Sequence, residues 1–208
     1  RLLLCDHTQE RTRRYLASRV IEVVTGHNAR LEMCAVEESS PLTSVHSRMF
    51  MALDEGAEAT VNSTTLVCGN TRNEFDIDLR GPHASVRLTG MAIGDGRMHI
   101  DNNSAITHTA PYCHSDQLFK YVLDRNILAS DDARMHCKPQ LIIYNDEVKC
   151  SHGATTGQLD NDALFYMRQR GIPEAEARTM LMQAFMVDVI DTVHIPGLNE
   201  RLRHLVDR

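Results

Sequence analysis

The fold is decided by the stretch Lys149-Cys-Ser-His-Gly-Ala-Thr-Thr-Gly-Gln-Leu-Asp160, where two kinds of sequence meet. Upstream of it, short runs rich in β-branched residues alternate with turn residues, which is typical of strands. Downstream of it, apolar residues recur with the period of an α-helix. The sequence therefore predicts a mainly β protein, with strands in residues 1–158 and a C-terminal α-helical subdomain in residues 159–208.

The helical part has start and stop signals. Asp160 is a favourable N-cap, Gly171 suits the position just after a helix, and Pro173 can open the next helix. That second helix carries a broad apolar face and ends at Pro196-Gly197. These helices can cap the open end of a stack of repeats, which such stacks need, and can also form a docking surface for another protein, since one face can cap while the other binds.

A turn-plus-strand unit recurs in the upstream part. In each copy a small residue opens a turn, an alanine enters the next strand, and an apolar residue follows two positions later. The alanines are Ala29, Ala59, Ala84 and Ala133, at intervals of 30, 25 and 49 residues. A unit this short cannot bury its apolar side alone, so it must stack on its neighbours. The spacing fits the coils of a β-helix and fits an antiparallel sandwich equally well.

Cys150 and His152 form the candidate ligand pair. Residues two apart on a strand point to the same face, so a thiolate and an imidazole there can meet one metal ion or one partner surface. A bare Cys-x-His lacks the four ligands of a structural zinc site. The alternative is a hydrogen-bonded polar pair where elements pack, and the spacing alone favours that alternative.

Residues 90–115 are dense in polar side chains. Five of them invite a metal-site or hydrolase interpretation: His99, Asp101, Asn103, His108 and His114. The alternative is a ladder of hydrogen-bonded side chains inside or along the coils, because buried polar groups need partners. We favour the ladder.

Composition argues against several classes of function. The net charge of −6 opposes general nucleic-acid binding, which needs a basic face. No apolar run approaches the length of a membrane span, and the first residues do not form a secretory signal. The six cysteines include no CxxC pair, so we expect reduced thiols in a cytoplasmic protein.

Four motifs stand around the junction: Lys-Cys-Ser-His-Gly-Ala-Thr (149–155), Gly-Gln-Leu-Asp (157–160), Leu-Phe-Tyr (164–166) and Arg-Gln-Arg-Gly-Ile-Pro (168–173). Together they resemble the C-terminal signature of the SufB/SufD family, the scaffold proteins of the Suf iron–sulfur cluster assembly machinery. The Ser-His-Gly-Ala version resembles the SufD branch, because the SufB branch usually has an acidic residue close after its histidine, where this chain has Gly153.

The resemblance implies both a fold and a role. The fold would be a right-handed parallel β-helix followed by the helical subdomain. The role would be that of a non-enzymatic scaffold, which docks an ABC-type ATPase, SufC, through its C-terminal helices. It would pair with SufB, or with a second copy of itself, through the last strands. The sequence has no P-loop, so ATP hydrolysis would belong to the partner.

The resemblance also implies site residues. His152 and Cys150 lie in the matching motif and would hold transient iron or an iron–sulfur cluster where two solenoids meet, with further ligands from across the interface or from sulfide. No tightly bound cofactor is expected in the isolated chain. The residues expected to contact the ATPase lie on the first two helices: Leu164, Phe165, Arg168, Arg170, Gly171, Met180 and Phe185.

One departure from the family falls near residues 124 and 125. The family has an intervening segment there, with a Gly-rich strand and a Gln-Lys-Thr-like element, whereas this chain passes directly from Asp124 to Arg125. We expect a loop to be missing at this point, mobile as long functional loops tend to be.

Two other functions stay open. Parallel β-helices also host extracellular-type carbohydrate-active enzymes, which need clustered carboxylates in a cleft on the outer face of the coils. The lack of tryptophan and of a secretion signal argues against this function. The other possibility is a purely structural homodimer that holds no metal.

Overall fold

Residues 1–7, 12–94, 98–123, 134–157, 159–195 and 197–205 are described by the computed structural model, and the missing loop expected between Asp124 and Arg125 lies outside them. The described strands are β1 (Leu2–His7), β2 (Tyr15–Thr25), β3 (Arg30–Glu38), β4 (Thr43–Leu53), β5 (Glu58–Val67), β6 (Asn70–Leu79), β7 (Ser85–Gly94), β8 (His99–His108), β9 (His114–Leu123), β10 (Arg134–Ile143) and β11 (Lys149–Gly157). The described helices are α1 (Asn161–Gln169), α2 (Glu174–Ile190) and α3 (Leu198–Leu205).

The strands wind into a parallel solenoid. Odd-numbered strands form one six-stranded sheet in the order β1-β3-β5-β7-β9-β11, and even-numbered strands form a five-stranded sheet that runs from β2 to β10. Each strand therefore pairs with the strand two positions along the chain, as Val61 does with Met33 before it and Leu88 after it. The predicted parallel β-helix is confirmed, and the antiparallel sandwich is wrong.

The repeat has a different phase from the one that the alanines suggested. Ala29, Ala57, Ala84 and Cys113 occupy equivalent positions just before the odd-numbered strands, because the residues that follow them pair in register. Ala59 lies inside β5 opposite Leu31. A second small residue two positions after Ala57 caused this misalignment. Ala133 lies outside the described residues, and the strand that follows it in sequence, β10, belongs to the other sheet.

At the corner just before each of these odd-numbered strands, one residue has the left-handed backbone conformation, and these residues lie above one another along the solenoid. Asn28, Gly56, His83 and Tyr112 have φ values of 52°, 64°, 61° and 61°. Each donates its backbone N–H to a carbonyl of the next coil, for example from Tyr112 to Glu147 at 2.6 Å. The rings of His83 and Tyr112 stack with their centroids 5.2 Å apart. Contacts between coils thus hold non-glycine residues in a conformation that they seldom adopt.

The interior between the two sheets is filled mainly by aliphatic and sulfur-containing side chains, with three aromatic rings among them. Phe119 is fully buried, and its ring centroid lies 6.5 Å from that of Phe75 and 6.2 Å from that of Tyr121. Gly90 makes room for the Phe119 ring, since a Cβ atom at Gly90 would lie 2.5 Å from two ring carbons.

The helices pack against the outer face of the odd-numbered sheet. Buried residues of α2, among them Met186 and Ile190, form one apolar cluster with outward residues of the strands such as Val36 and Met91. Lys120 of β9 donates to the carbonyl oxygen of Phe185 at 2.9 Å and also pairs with Asp188. The interpretation of the helices as a cap across the open end is therefore wrong. None of the described helices combines the length and apolarity that crossing a membrane requires.

One carboxyl group is buried among these coils. Glu37 is 6% exposed and accepts hydrogen bonds from the hydroxyls of Thr71 at 2.9 Å and Ser39 at 3.0 Å. Burial raises the pKa of Glu37 to about 7, although the two hydroxyl donors oppose the shift. Glu37 thus holds a proton at mildly acidic pH, where the same group in an unfolded chain is ionised.

We predict that Gly90→Ala destabilises the fold by about 1–3 kcal/mol, because the buried Phe119 ring cannot move aside for the added methyl group. Gly26→Ala is the matched control, since a Cβ atom there meets nothing within 4 Å. Denaturant unfolding measures both variants. Equal stability of the two would contradict the close packing at Gly90.

We predict that stability falls as the pH rises from about 4.5 to about 7, because the unfolded state loses the Glu37 proton in this range before the folded state does. The shift corresponds to about 3 kcal/mol at most. Glu37→Gln should remove this part of the pH slope, whereas the exposed Glu22→Gln should keep it. Unfolding free energies measured between pH 4.5 and 7 test this prediction. An unchanged pH dependence of stability in Glu37→Gln would show that Glu37 is not the group responsible.

Candidate functional site

The solenoid ends in two strands that each have one free edge among the described residues. β11 pairs with β9 alone, and β10 pairs with β8 alone. The outer edge of a sheet presents backbone N–H and C=O groups that can pair with another chain. Apolar side chains lie beside this edge, since Ile142, Ile143 and Tyr144 are all exposed. The end of the solenoid thus has the chemistry of an interaction surface.

Cys150 and His152 lie on this last strand and on one face of it. In register they pair with Ser115 and Gln117 of β9, which are buried inside the solenoid. Ser151, between them, points the other way and donates to Asp116 at 2.7 Å. The two candidate ligands therefore line the inner side of the last coil. They remain accessible because no further coil covers them among the described strands, with Cys150 half-buried and His152 exposed.

A polar layer lies directly beneath these two residues. Ser104 of β8 donates to the amide oxygen of Gln117 at 2.6 Å. The Nε2 atom of His108 lies 2.8 Å from the hydroxyl oxygen of Ser115. Burial, and secondarily the nearby His114, lowers the pKa of His108, so its imidazole is neutral. Two nitrogens of this layer, Nδ1 of His108 and Nε2 of Gln117, have no hydrogen-bond partner among the described residues.

The five polar residues singled out in the sequence do not come together. His99, Asp101 and Asn103 point outward from the even-numbered sheet, His108 points into the interior, and His114 is exposed at the start of β9. The favoured ladder of polar side chains does exist, but His108 is the only one of the five inside it. Its other members are Asn73, Asn102, Ser104, Ser115, Gln117 and Tyr121. Sequence reasoning missed these because three of the four hydrogen bonds cross between the two sheets, and the fourth joins Asn73 and Asn102 on neighbouring strands one coil apart.

The outer face of the even-numbered sheet carries carboxylates that are neutralised in pairs. Arg48 binds Asp76 at 2.9 Å, and Arg72 binds Asp101 at 3.2 Å. A hydrogen bond from His46, and to a lesser extent one from Arg72, lowers the pKa of the Glu74 carboxyl. These carboxylates are therefore held by neighbouring basic side chains of the same face.

Cys137 is a second thiol in the end coil, but it lies apart from the candidate pair. It is hydrogen-bonded to Tyr121, and burial raises the pKa of its thiol. Tyr121 pairs in register with Thr156, four residues beyond His152, which corresponds to about 13 Å along a strand. No three His, Cys, Asp or Glu side chains of the described ranges are grouped to hold a metal ion. A metal at Cys150 and His152 would thus need ligands from elsewhere.

The residues expected to contact a partner through the helices divide into two groups. Phe165 and Met180 are exposed apolar residues. Tyr166 is exposed as well, and sequence reasoning missed it. The others make contacts within the fold. Leu164 is buried, Lys120 lies over the ring of Phe185, Arg168 pairs with Glu174, Arg170 donates to Tyr166, and Gly171 has a φ of 86° just after α1.

Comparison with known proteins identifies the family to which the chain is similar. The family model described as SUF system FeS cluster assembly, SufBD core domain, matches residues 2–125 and 121–185. The iron–sulfur cluster assembly protein SufD of Escherichia coli is 27% identical over 84% of this chain and 48% of its own length. SufD of Bacillus subtilis is 25% identical over 91% of this chain and 49% of its own length.

A SufBD family protein of Synechocystis is 27% identical over 92% of this chain and 48% of its own length. The chain thus spans about half the length of these curated relatives. The family model covers most of the chain, and the parallel solenoid with its C-terminal helices agrees with the fold that the junction motifs implied. The chain therefore belongs to the SufBD family, whose core domain is the solenoid described above.

Proposed function

We propose that the chain is a non-catalytic, SufD-like scaffold subunit of cytoplasmic iron–sulfur cluster assembly. The observation that carries this proposal is the open end of the solenoid, where Cys150 and His152 line the inner side of the last coil and no further described coil covers them. Relatives over most of this chain are named as iron–sulfur cluster assembly proteins, which supports the same role.

The open end pairs with a SufB-like paralogue or with a second copy of the chain. The free edges of β10 and β11 supply backbone donors and acceptors, and the exposed Ile143 and Tyr144 supply apolar area. Two solenoids joined in this way bring side chains from both chains to the same inner space. Cys150 and His152 then hold iron or a nascent cluster transiently, with other ligands from the partner or from sulfide. No tightly bound cofactor is needed when the chain is alone.

The helical subdomain docks a SufC-like ABC ATPase. Phe165, Tyr166 and Met180 give it an exposed apolar surface beyond the part that packs on the sheet. Lys120 ties α2 to β9, the strand that pairs with β11. A displacement of α2 by the ATPase would therefore act on the strand next to the candidate ligands, which couples ATP hydrolysis to opening of the paired end.

We predict that His152→Ala and Cys150→Ala each lower the iron and acid-labile sulfide held by the complex of this chain with its paralogue and ATPase, by about tenfold or more, since each removes a ligand. Anaerobic reconstitution followed by iron and sulfide analysis measures this. Ser151→Ala is the matched control on the outer side of the same strand. Normal cluster content in both ligand variants would contradict the site.

We predict that Phe165→Ser combined with Met180→Ser weakens binding of the ATPase about tenfold or more, because both residues are exposed and apolar. Pull-down and stimulation of ATP hydrolysis measure the effect. Val24→Ser removes another exposed apolar side chain, from β2 in the other sheet from the one that the helices pack on, and should leave binding intact. Loss of binding in the Val24 variant alone would place the ATPase elsewhere.

A further inference from the structure

Each candidate ligand on β11 stands next to a buried polar side chain of β9. Cys150 is the register neighbour of Ser115, and His152 is the register neighbour of Gln117. Gln117 is 1% exposed. One end of its amide is bound by the hydroxyl of Ser104 at 2.6 Å, and the other end meets no hydrogen-bond partner within the described ranges.

A buried amide with one end unpaired is unfavourable by about 1–3 kcal/mol, so such groups are rare in stable proteins. Paired strands lie about 4.8 Å apart, which a glutamine side chain can span to reach the side chain on the neighbouring strand. Gln117 and His152 project from the same inner face of adjacent strands. The imidazole is therefore the polar group of the last coil best placed to satisfy the amide.

We propose that Gln117 is a positioning residue for His152, through a hydrogen bond from the imidazole to its amide oxygen. This inference rests on the proposed function in treating His152 as a ligand. A half-turn of the terminal amide exchanges its oxygen and nitrogen but keeps the contact with Ser104, because a hydroxyl accepts as well as donates. The oxygen then faces β11, and a change of rotamer of the exposed His152 side chain lets its ring N–H donate to that oxygen.

This bond selects one tautomer of the imidazole. The nitrogen that donates to Gln117 carries the proton, and the other nitrogen presents its lone pair to the open end of the solenoid. Metal-binding histidines are supported in this way by an acceptor on their second nitrogen. The polar layer beneath the candidate ligands thus fixes the tautomer of His152, which an apolar interior could not do.

The test is the tautomer of His152 in the full-length chain, read from the ¹⁵N chemical shifts of its ring nitrogens without any metal present. The wild type should show one dominant tautomer. Gln117→Met keeps the length of the side chain but removes the acceptor, so both tautomers should appear. Gln117→Glu restores an acceptor and should restore the single tautomer.

Asn73→Leu is the matched control, because it also removes a buried amide from the interior, but one that is bound to Asn102 and has no contact with β11. It should lower stability and leave the His152 tautomer unchanged. Should Gln117→Met fail to fold, Ser104→Ala releases the far end of the amide and should weaken the preference for one tautomer.

The same tautomer populations in wild type and Gln117→Met, or an unchanged preference in Ser104→Ala when Gln117→Met does not fold, would overturn the positioning role. Iron retention by the assembled complex gives a second readout, and Gln117→Met should reduce it by about tenfold or more. Normal iron content in both His152→Ala and Cys150→Ala would instead overturn the ligand role in the proposed function and leave the bond to Gln117 standing. The two failures are therefore distinguishable.

Discussion

In this solenoid every strand between the two ends of the stack satisfies its backbone through the coil before it and the coil after it. The constraint follows from parallel pairing at a spacing of one coil, which Val61 illustrates by bonding between Met33 and Leu88. A stack built in this way must end in a strand with one unpaired edge. At the C-terminal end that strand is β11, which carries Cys150 and His152. The strand with the unpaired edge thus also carries the two candidate ligands.

The helices do not cover the unpaired edge at the end of the solenoid. They pack on the outer face of the odd-numbered sheet, where Met186 and Ile190 meet outward residues of the strands, and they leave the end of the coils uncovered. The tie between Lys120 and α2 connects the two regions. A partner on the helices and a partner on the open end would therefore act on the same few strands.

Much of this fold is predictable from the sequence, for identifiable reasons. The junction motifs around residues 149–173 distinguish a β-helix from a sandwich, which the turn spacing alone could not do. The face shared by Cys150 and His152 follows from the two-residue period of a strand. The phase of the repeat does not follow, because Ala57 and Ala59 are both small and only the pairing with β3 separates them. The left-handed positions at two corners hold His83 and Tyr112, so no glycine marks those positions in the sequence.

The polar layer beneath the ligands was the least predictable feature. Ser104 and Gln117 are thirteen residues apart and meet only because one coil brings β8 and β9 onto opposite sides of the same interior. No local pattern marks such a pair. The packing of α2 on the sheet was hidden for a related reason, since apolar residues surround much of that helix and do not single out one face.

The central claim is that the free edge of β11 is the pairing surface. Hydrogen–deuterium exchange of the chain, alone and mixed with a SufB-like paralogue and SufC-like ATPase, tests this most directly. Amides of β11 and β10 should become protected on mixing, while those of β2, at the opposite end of the even-numbered sheet, stay unchanged. Unchanged exchange in β11 together with new protection on β2 or on the outer sheet face would contradict the account.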